Sequence, residues 1–445
     1  MSDLLSIGAS GVRAYQSALT TTSDNIANAG TPGYVRRTTS LSEIGVGSSV
    51  QLTGSGVTVA GIARSADAFR SADVRQTTSD VSRSDGGIVW MERIEDALGS
   101  RALTTRMTSF FNAATTLSAD PSADAPRQAM MEEAESVAQS FSGTIKALDD
   151  ASTNLDAMAG NVASKLTNNA AALARINDGL ARVARGSVGE AQLLDQRDRM
   201  LDEMSELIDI DVQFDPVGRV TVRAGGGDTP PLVHGIQAST IRFGRDENSY
   251  LPVFAAMRDG KEVQLVPRGG TTAGMTDGAA RIMEMRRNVN DLAREFVDGV
   301  NGALAAGEDA DGNTGSDNNL FLIDANDRVT RAFTDPRKIA AATVGKGPRD
   351  SGNLAVLAEA RRTGAWETKL VALQSSNGSA LAARKTVAEA QGSIRDSAVD
   401  AREMSAGVNL DQEAVNLMKF QQAYQASSRV IQVARETLDA ILAIR

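Results

Sequence analysis

At 445 residues the chain is long enough for two to four domains and a sizeable core. A net charge of -10 argues against a nucleic-acid binder, because phosphate backbones require a basic surface, so no nucleic-acid partner is expected. With no cysteine and a single histidine there is no disulfide, thiolate zinc site, cysteine nucleophile or multi-histidine metal centre to propose, and no cofactor is implied.

The N-terminus lacks the basic start and long apolar core of a cleaved secretory signal. In its place, Leu5, Val12, Leu19 and Ile26 recur every seven residues, with Gly8, Tyr15, Thr22 and Ala29 three places behind. A seven-residue apolar repeat makes a narrow stripe that needs a partner helix. The pattern predicts a helix over 3–29, closed by Gly30 in the left-handed conformation and by Pro32, with Pro32-Gly33 forming a turn. Residues 34–84 are rich in Thr, Ser, Gly and Val and read as extended chain with small strands.

From 87 to 208 the pattern is helical. Pro121 and Pro126 mark a loop, one long or once-broken helix covers 134–183, and another covers 190–207. In the charged segment Leu194-Asp195-Gln196-Arg197-Asp198-Arg199, Asp195 and Arg199 are four apart and read as an ion pair on a solvated face.

At Ile208 the period changes to two. Residues 212–214 and 220–222 alternate around the turn-forming Asp215-Pro216-Val217-Gly218, so 208–270 reads as antiparallel sheet, with Gly225–Gly227 as a flexible hairpin tip. His234, the lone histidine, reads as a partly buried structural residue. Helix returns at 277–306, followed by a Gly/Asp/Asn loop at 307–319. Asp309–Asn313 resembles the first half of a calcium loop. Thr314 replaces the required glycine and Leu320 the bidentate acid, so a solvated turn is expected. The rest reads as helix with loops near 345–352 and 374–378 and a break at Gly407. No stretch approaches the ~18 uninterrupted apolar residues of a membrane span, so no membrane insertion is expected.

The last segment repeats the opening device: Leu410, Leu417, Tyr424, Ile431 and Leu438 recur every seven residues, with Phe420, Ala434 and Ile441 behind them. The expected fold is therefore mainly α with a β-rich insertion, elongated and multidomain. Its segments are 1–84 (terminal helix and extended chain), 85–207 (helical), 208–276 (β-rich), 277–406 (return helices and loops) and 407–445 (second terminal helix). Two matching stripes at opposite ends point to coiled-coil pairing with each other or with copies of the same chain, hence to assembly rather than catalysis. The candidate assembly interface is Leu5, Val12, Tyr15, Leu19, Ile26, Leu410, Leu417, Phe420, Tyr424, Ile431, Leu438 and Ile441. Residues 1–45 hold three acids and three bases, and 410–445 four of each, so neutral ends can crowd together with little repulsion. Gly8, Gly11 and Thr22 dilute one seam and Ser427 the other, so a lone pair of these helices is marginal and is expected to order on joining neighbours.

The run Asn25-Ile26-Ala27-Asn28-Ala29-Gly30-Thr31-Pro32-Gly33-Tyr34 resembles the N-terminal signature of bacterial flagellar rod, hook and hook-associated proteins. Gly407–Asp411 and Phe420–Ser427 resemble the matching C-terminal end. Leu194–Asp198, Leu292–Asn301 with Leu320-Phe321, Asp335–Ala341 and Asp350–Asn353 resemble blocks of the hook-associated protein 1 family, the hook–filament junction proteins. The similarity covers scattered blocks along most of the chain, is weakest over 208–270, and marks a copy short for the family.

The resemblance implies a structural ring subunit at the distal end of the hook, outside the cell and exported unfolded through the flagellar type III apparatus on an uncleaved signal. Its implied partners are copies of itself, the hook protein, the next hook-associated protein, the export apparatus and an export chaperone. The rival within the class is a hook or distal rod protein; the rival outside it is an enzyme on a flagellar scaffold, such as one that cuts peptidoglycan.

Overall fold

A computed structural model describes residues 2–44, 56–99, 102–225, 229–247 and 250–443. The chain begins with helix α1 (Ser2–Ala27) and a hairpin of β1 (Arg37–Glu43) and β2 (Val57–Arg64). Four helices follow: α2 (Ala68–Gly99), α3 (Leu103–Ala119), α4 (Asp124–Arg182) and α5 (Val188–Leu207). Seven strands come next: β3 (Ile210–Phe214), β4 (Val220–Ala224), β5 (Pro231–His234), β6 (Gln237–Ala238), β7 (Thr240–Arg245), β8 (Pro252–Arg258) and β9 (Lys261–Leu265). Helix α6 (Gly270–Ala305) leads into four short strands, β10 (Gly307–Glu308), β11 (Phe321–Ile323), β12 (Val329–Arg331) and β13 (Ala342–Thr343). The chain closes with α7 (Gly352–Gly364), α8 (Trp366–Ala406) and α9 (Leu410–Ala443).

Helix α4 organises the body because its apolar residues keep one face over its whole length, from Met130, Ala134 and Phe141 through Leu148 and Leu155 to Leu166 and Leu173. Its first half joins α3, the second half of α6 and the start of α8 in one apolar cluster. Phe296 lies at the centre of that cluster, with ring centroids 5.3 Å from Trp366, 5.4 Å from Phe141 and 5.5 Å from Phe321. The second half of α4 joins α2, α5 and the start of α6 in another cluster. There α2 and α6 approach closely at Gly278, where a Cβ would lie 2.3 Å from the Trp90 ring. Each fully buried Leu, Phe or Met contributes roughly 1.5–3 kcal/mol, so these two clusters hold the body together.

The strands from β3 to β9 form two antiparallel sheets, β3-β4-β5-β6 and β7-β8-β9. Asp215 builds the predicted first turn: its Oδ1 accepts from Val217 N and Arg219 N, and Phe214 pairs with Val220. The sheets do not form a core of their own. Val222, Leu232, Val233, Ile241 and Phe254 share the cluster of α4. Buried Asn177 on α4 donates to Val220 O and Gly235 O while accepting from Val220 N.

Several expectations are corrected. Residues 68–84 are helix, not extended chain, so α2 crosses the expected 84/85 boundary; Asp67 Oδ1 caps it by accepting from Phe69 N and Arg70 N. Helix α6 starts at Gly270 rather than 277, because glycine there takes φ +71° and lets the backbone lie against Leu207 and Ile208. Residues 374–378 are helix within α8: Gln374 Nε2 donates to Leu98 O and Asn377 Nδ2 to Met91 O, so polar residues that read as a loop are ties to α2. Pro126 sits in the first turn of α4, where its missing N–H costs nothing, and Pro121 lies in the loop. The stretch 320–343 holds short strands where helix was expected. His234 is exposed, with Nδ1 3.3 Å from Thr221 Oγ1. Asp309 is buried rather than solvated, and its carboxylate is taken up by Asp311 N, Asn313 N and Asn313 Nδ2. Of the glycine hairpin tip at 225–227, residues 226 and 227 lie outside the described residues.

Candidate assembly site

The two ends of the chain fold together. Helix α1 lies along α9 on one side and against the β1–β2 hairpin on the other. Small residues permit the close approach: a Cβ on Gly8 would lie 2.7 Å from Ile431 Cγ1, and one on Gly11 2.6 Å from Ser427 Oγ. On the hairpin side Ser10 Oγ accepts from Val57 N, and Thr39 Oγ1 donates to Thr21 Oγ1.

Of the predicted interface residues, Leu5, Val12, Tyr15, Leu19, Leu417, Phe420, Tyr424 and Ile431 are half-buried. Ile26, Leu410 and Leu438 are exposed, and the Ile441 side chain lies outside the described residues. Sequence reasoning missed a second stripe. Val415, Met418, Val430 and Val433 are between 40% and 60% exposed. Helical spacing sets them on the side of α9 opposite Glu413, Leu417 and Ile431. Their spacing of three within each pair was the available signal.

Buried Asn25 joins the three elements of this terminal module. Its Nδ2 donates to Arg37 O at 2.7 Å and to Glu413 Oε2 at 3.1 Å, while its Oδ1 accepts from Arg37 N and Tyr34 OH. Glu413 in turn accepts from Arg36 Nε at 2.7 Å. Burial pushes the Tyr34 hydroxyl up, which keeps it protonated as a donor. The N-terminal signature therefore places its polar residues at a joint. Helix α1 ends at Ala27, and Asn28 Nδ2 donates back to Asp24 O. Gly30 is not left-handed; Gly33 is, at φ +74°, in the turn closed by Tyr34 N to Thr31 O. Asn409 Oδ1 accepts from Gln412 N and starts α9.

The charged segment on α5 connects this module to the body. Asp195 is buried and does not pair with Arg199. It accepts from Arg37 Nη2 at 2.6 Å and from Arg64 Nε at 2.8 Å, and Arg64 Nη2 also reaches Asp198 at 2.8 Å. Arg197 shares Asp198, donating to its Oδ1 from Nε at 2.9 Å and from Nη2, and reaches the β3–β4 turn through Nη1, which donates to Gly218 O at 2.7 Å, with its guanidinium over the Phe214 ring. Burial lowers the Arg197 pKa. One turn further on, Asp202 accepts from Arg402 at 2.7 Å but stays 3.7 Å from Arg75, too far for a hydrogen bond. Burial raises the Asp202 pKa and lowers that of Arg75, both toward the neutral form.

The remaining family-like blocks hold the body. Asn301 Oδ1 accepts from Leu320 N and Phe321 N, Arg127 donates to Pro121 O and Ile339 O, and Asn353 Nδ2 donates to Ala340 O.

A helical body that carries its two chain ends as one paired module is the architecture of a structural subunit. The sequence profile described as "Flagellar hook-associated protein FlgK helical domain" matches residues 91–321, about half of the chain. The chain belongs to this flagellar hook-associated protein family. Its ends match two further profiles, "Flagella basal body rod protein" over 5–34 and "Flagellar basal body rod FlgEFG protein C-terminal" over 402–444.

Among curated relatives, flagellar hook-associated protein 1 of Salmonella typhimurium is 26% identical over 559 aligned positions, covering 100% of both chains. Those positions outnumber the 445 residues here, so the relative has segments without a counterpart. The proteins of the same name from Escherichia coli and Bacillus subtilis are 25% and 24% identical, covering 100% and 96% of this chain and 100% and 95% of theirs. The solved structure of the flagellar hook junction protein FlgK from Burkholderia pseudomallei shares the fold, with a TM-score of 0.51 at 19% identity over 57% of this chain and 47% of that one.

Proposed function

We propose that the chain is a structural subunit at the junction between flagellar hook and filament, and that copies stand side by side in a ring through their terminal modules. The observation that carries this reading is the outer stripe of α9. Helix α1 already covers the inner seam, so Val415, Met418, Val430 and Val433 remain for a neighbour. Two pairs of exposed Val and Met side chains on one helix face are apolar surface that association removes from water.

In this reading the hook protein and the next hook-associated protein flank the ring. The subunit leaves the cell unfolded through the flagellar export apparatus without cleavage, with or without a chaperone, and works outside. Its role is structural rather than catalytic. Hook and rod proteins share the end motifs, but the match over 91–321 favours the junction role. Deleting the gene and imaging the cells tests it: hooks without filaments, with monomeric flagellin in the medium, are expected. Filaments of normal length on the deletion strain would contradict it.

A further inference from the structure

The terminal module and the body meet without a shared apolar core. Among the described residues, neither apolar cluster contains one before Trp90 or beyond Leu373. Polar and backbone contacts join the two parts instead. Arg37 and Arg64, from the two strands of the hairpin, converge on the single carboxylate of Asp195, at 2.6 Å and 2.8 Å. Ile62 N donates to Gly186 O at 2.8 Å, where Gly61 lies against Gly186 backbone to backbone. Gly33 rests on the aliphatic part of Arg199.

Beside these contacts opens a cleft of about 810 Å³, lined by the Gly30–Tyr34 turn, Asp202, Arg402 and the Gly407–Asn409 link. The chain crosses this boundary through 65–67 and 407–409.

We propose that Asp195, with Arg37 and Arg64, is a latch that fixes the terminal module in one orientation on the body, and that opening it lets the module swing while both parts stay folded. Apolar interfaces tolerate small slides, whereas a carboxylate gripped by two arginines has one geometry and fails as a unit. The side chains of Asp195, Arg37 and Arg64 are 5%, 7% and 6% exposed, so losing Asp195 removes the carboxylate from buried Arg37 and leaves Arg64 with Asp198 alone. The open cleft gives the module room to move, and the two links are short loop segments of the kind that absorb hinge rotation. The inference stands apart from the junction role and holds for any assembly that uses these ends.

The chain has no cysteine, so Ser164→Cys on α4 and Gln432→Cys on α9 accept a unique pair of spin labels. Both tryptophans, Trp90 and Trp366, are buried in the body and report its folding independently. In the labelled parent the dipolar distance distribution is expected to be single and narrow. In Asp195→Asn, and separately in Arg64→Gln, the share of that distance is expected to fall roughly tenfold relative to other distances, with unchanged tryptophan emission. A distribution that stays narrow in both variants overturns the latch. So does a red shift of tryptophan emission in both, which would make these residues part of the body's own core.

Discussion

Helices α4 and α9 are both long, but they are stabilised in different ways. In α4, 23 of 59 residues are buried, and the helix runs through both apolar clusters. Among the described side chains of α9, Glu413 and Ala434 are buried, and the helix belongs to neither cluster. The body is stabilised by apolar burial within one chain. The terminal module is held by a small-residue contact, a polar joint at Asn25 and an ion cluster on α5. A part built this way keeps apolar surface in reserve for neighbours, at the cost of low stability alone.

The largest effect expected from this contrast is on assembly. Leu417→Asp or Ile431→Asp places a charge in the seam with α1 and is expected to abolish filament attachment in complemented cells, with body tryptophan emission unchanged. Normal attachment would break the distinction between the two regions. Phe296→Ala removes the ring at the centre of the aromatic cluster and is expected to destabilise the body by about 4 kcal/mol in denaturant unfolding followed by tryptophan emission. Asn25→Leu strands the buried partners of one side chain and is expected to cost about 3 kcal/mol, confined to the terminal module and visible in amide exchange of α1 rather than in tryptophan emission.

The smallest effect concerns pH. Because burial raises the Asp202 pKa, its ionised form is the unfavourable one in the fold. Its support for the fold is fullest below the ordinary carboxylate pKa and declines as pH rises through the raised value. The stability of Asp202→Asn relative to the parent is therefore expected to improve with rising pH across that window, read as unfolding midpoints.

The terminal helices were legible in the sequence because a seven-residue repeat survives without knowledge of the partner. The first hairpin of the sheet was legible through Asp215 and its turn. What stayed concealed were partners far away in the chain. Asp195 has Arg199 four residues on, and local spacing alone selects it, whereas its true partners stand 158 and 131 positions away in Arg37 and Arg64. Gln374 and Asn377 read as a loop because their side-chain amides find their acceptors on the backbone of α2. The outer stripe of α9 was hidden because the stronger heptad on the facing side claimed the pattern.

Amide hydrogen exchange on the purified, unassembled protein tests the division between body and terminal module most directly. Strong protection is expected along α4 and α6, with weak protection across 5–27 and 410–440. Equal protection in all four helices would contradict it.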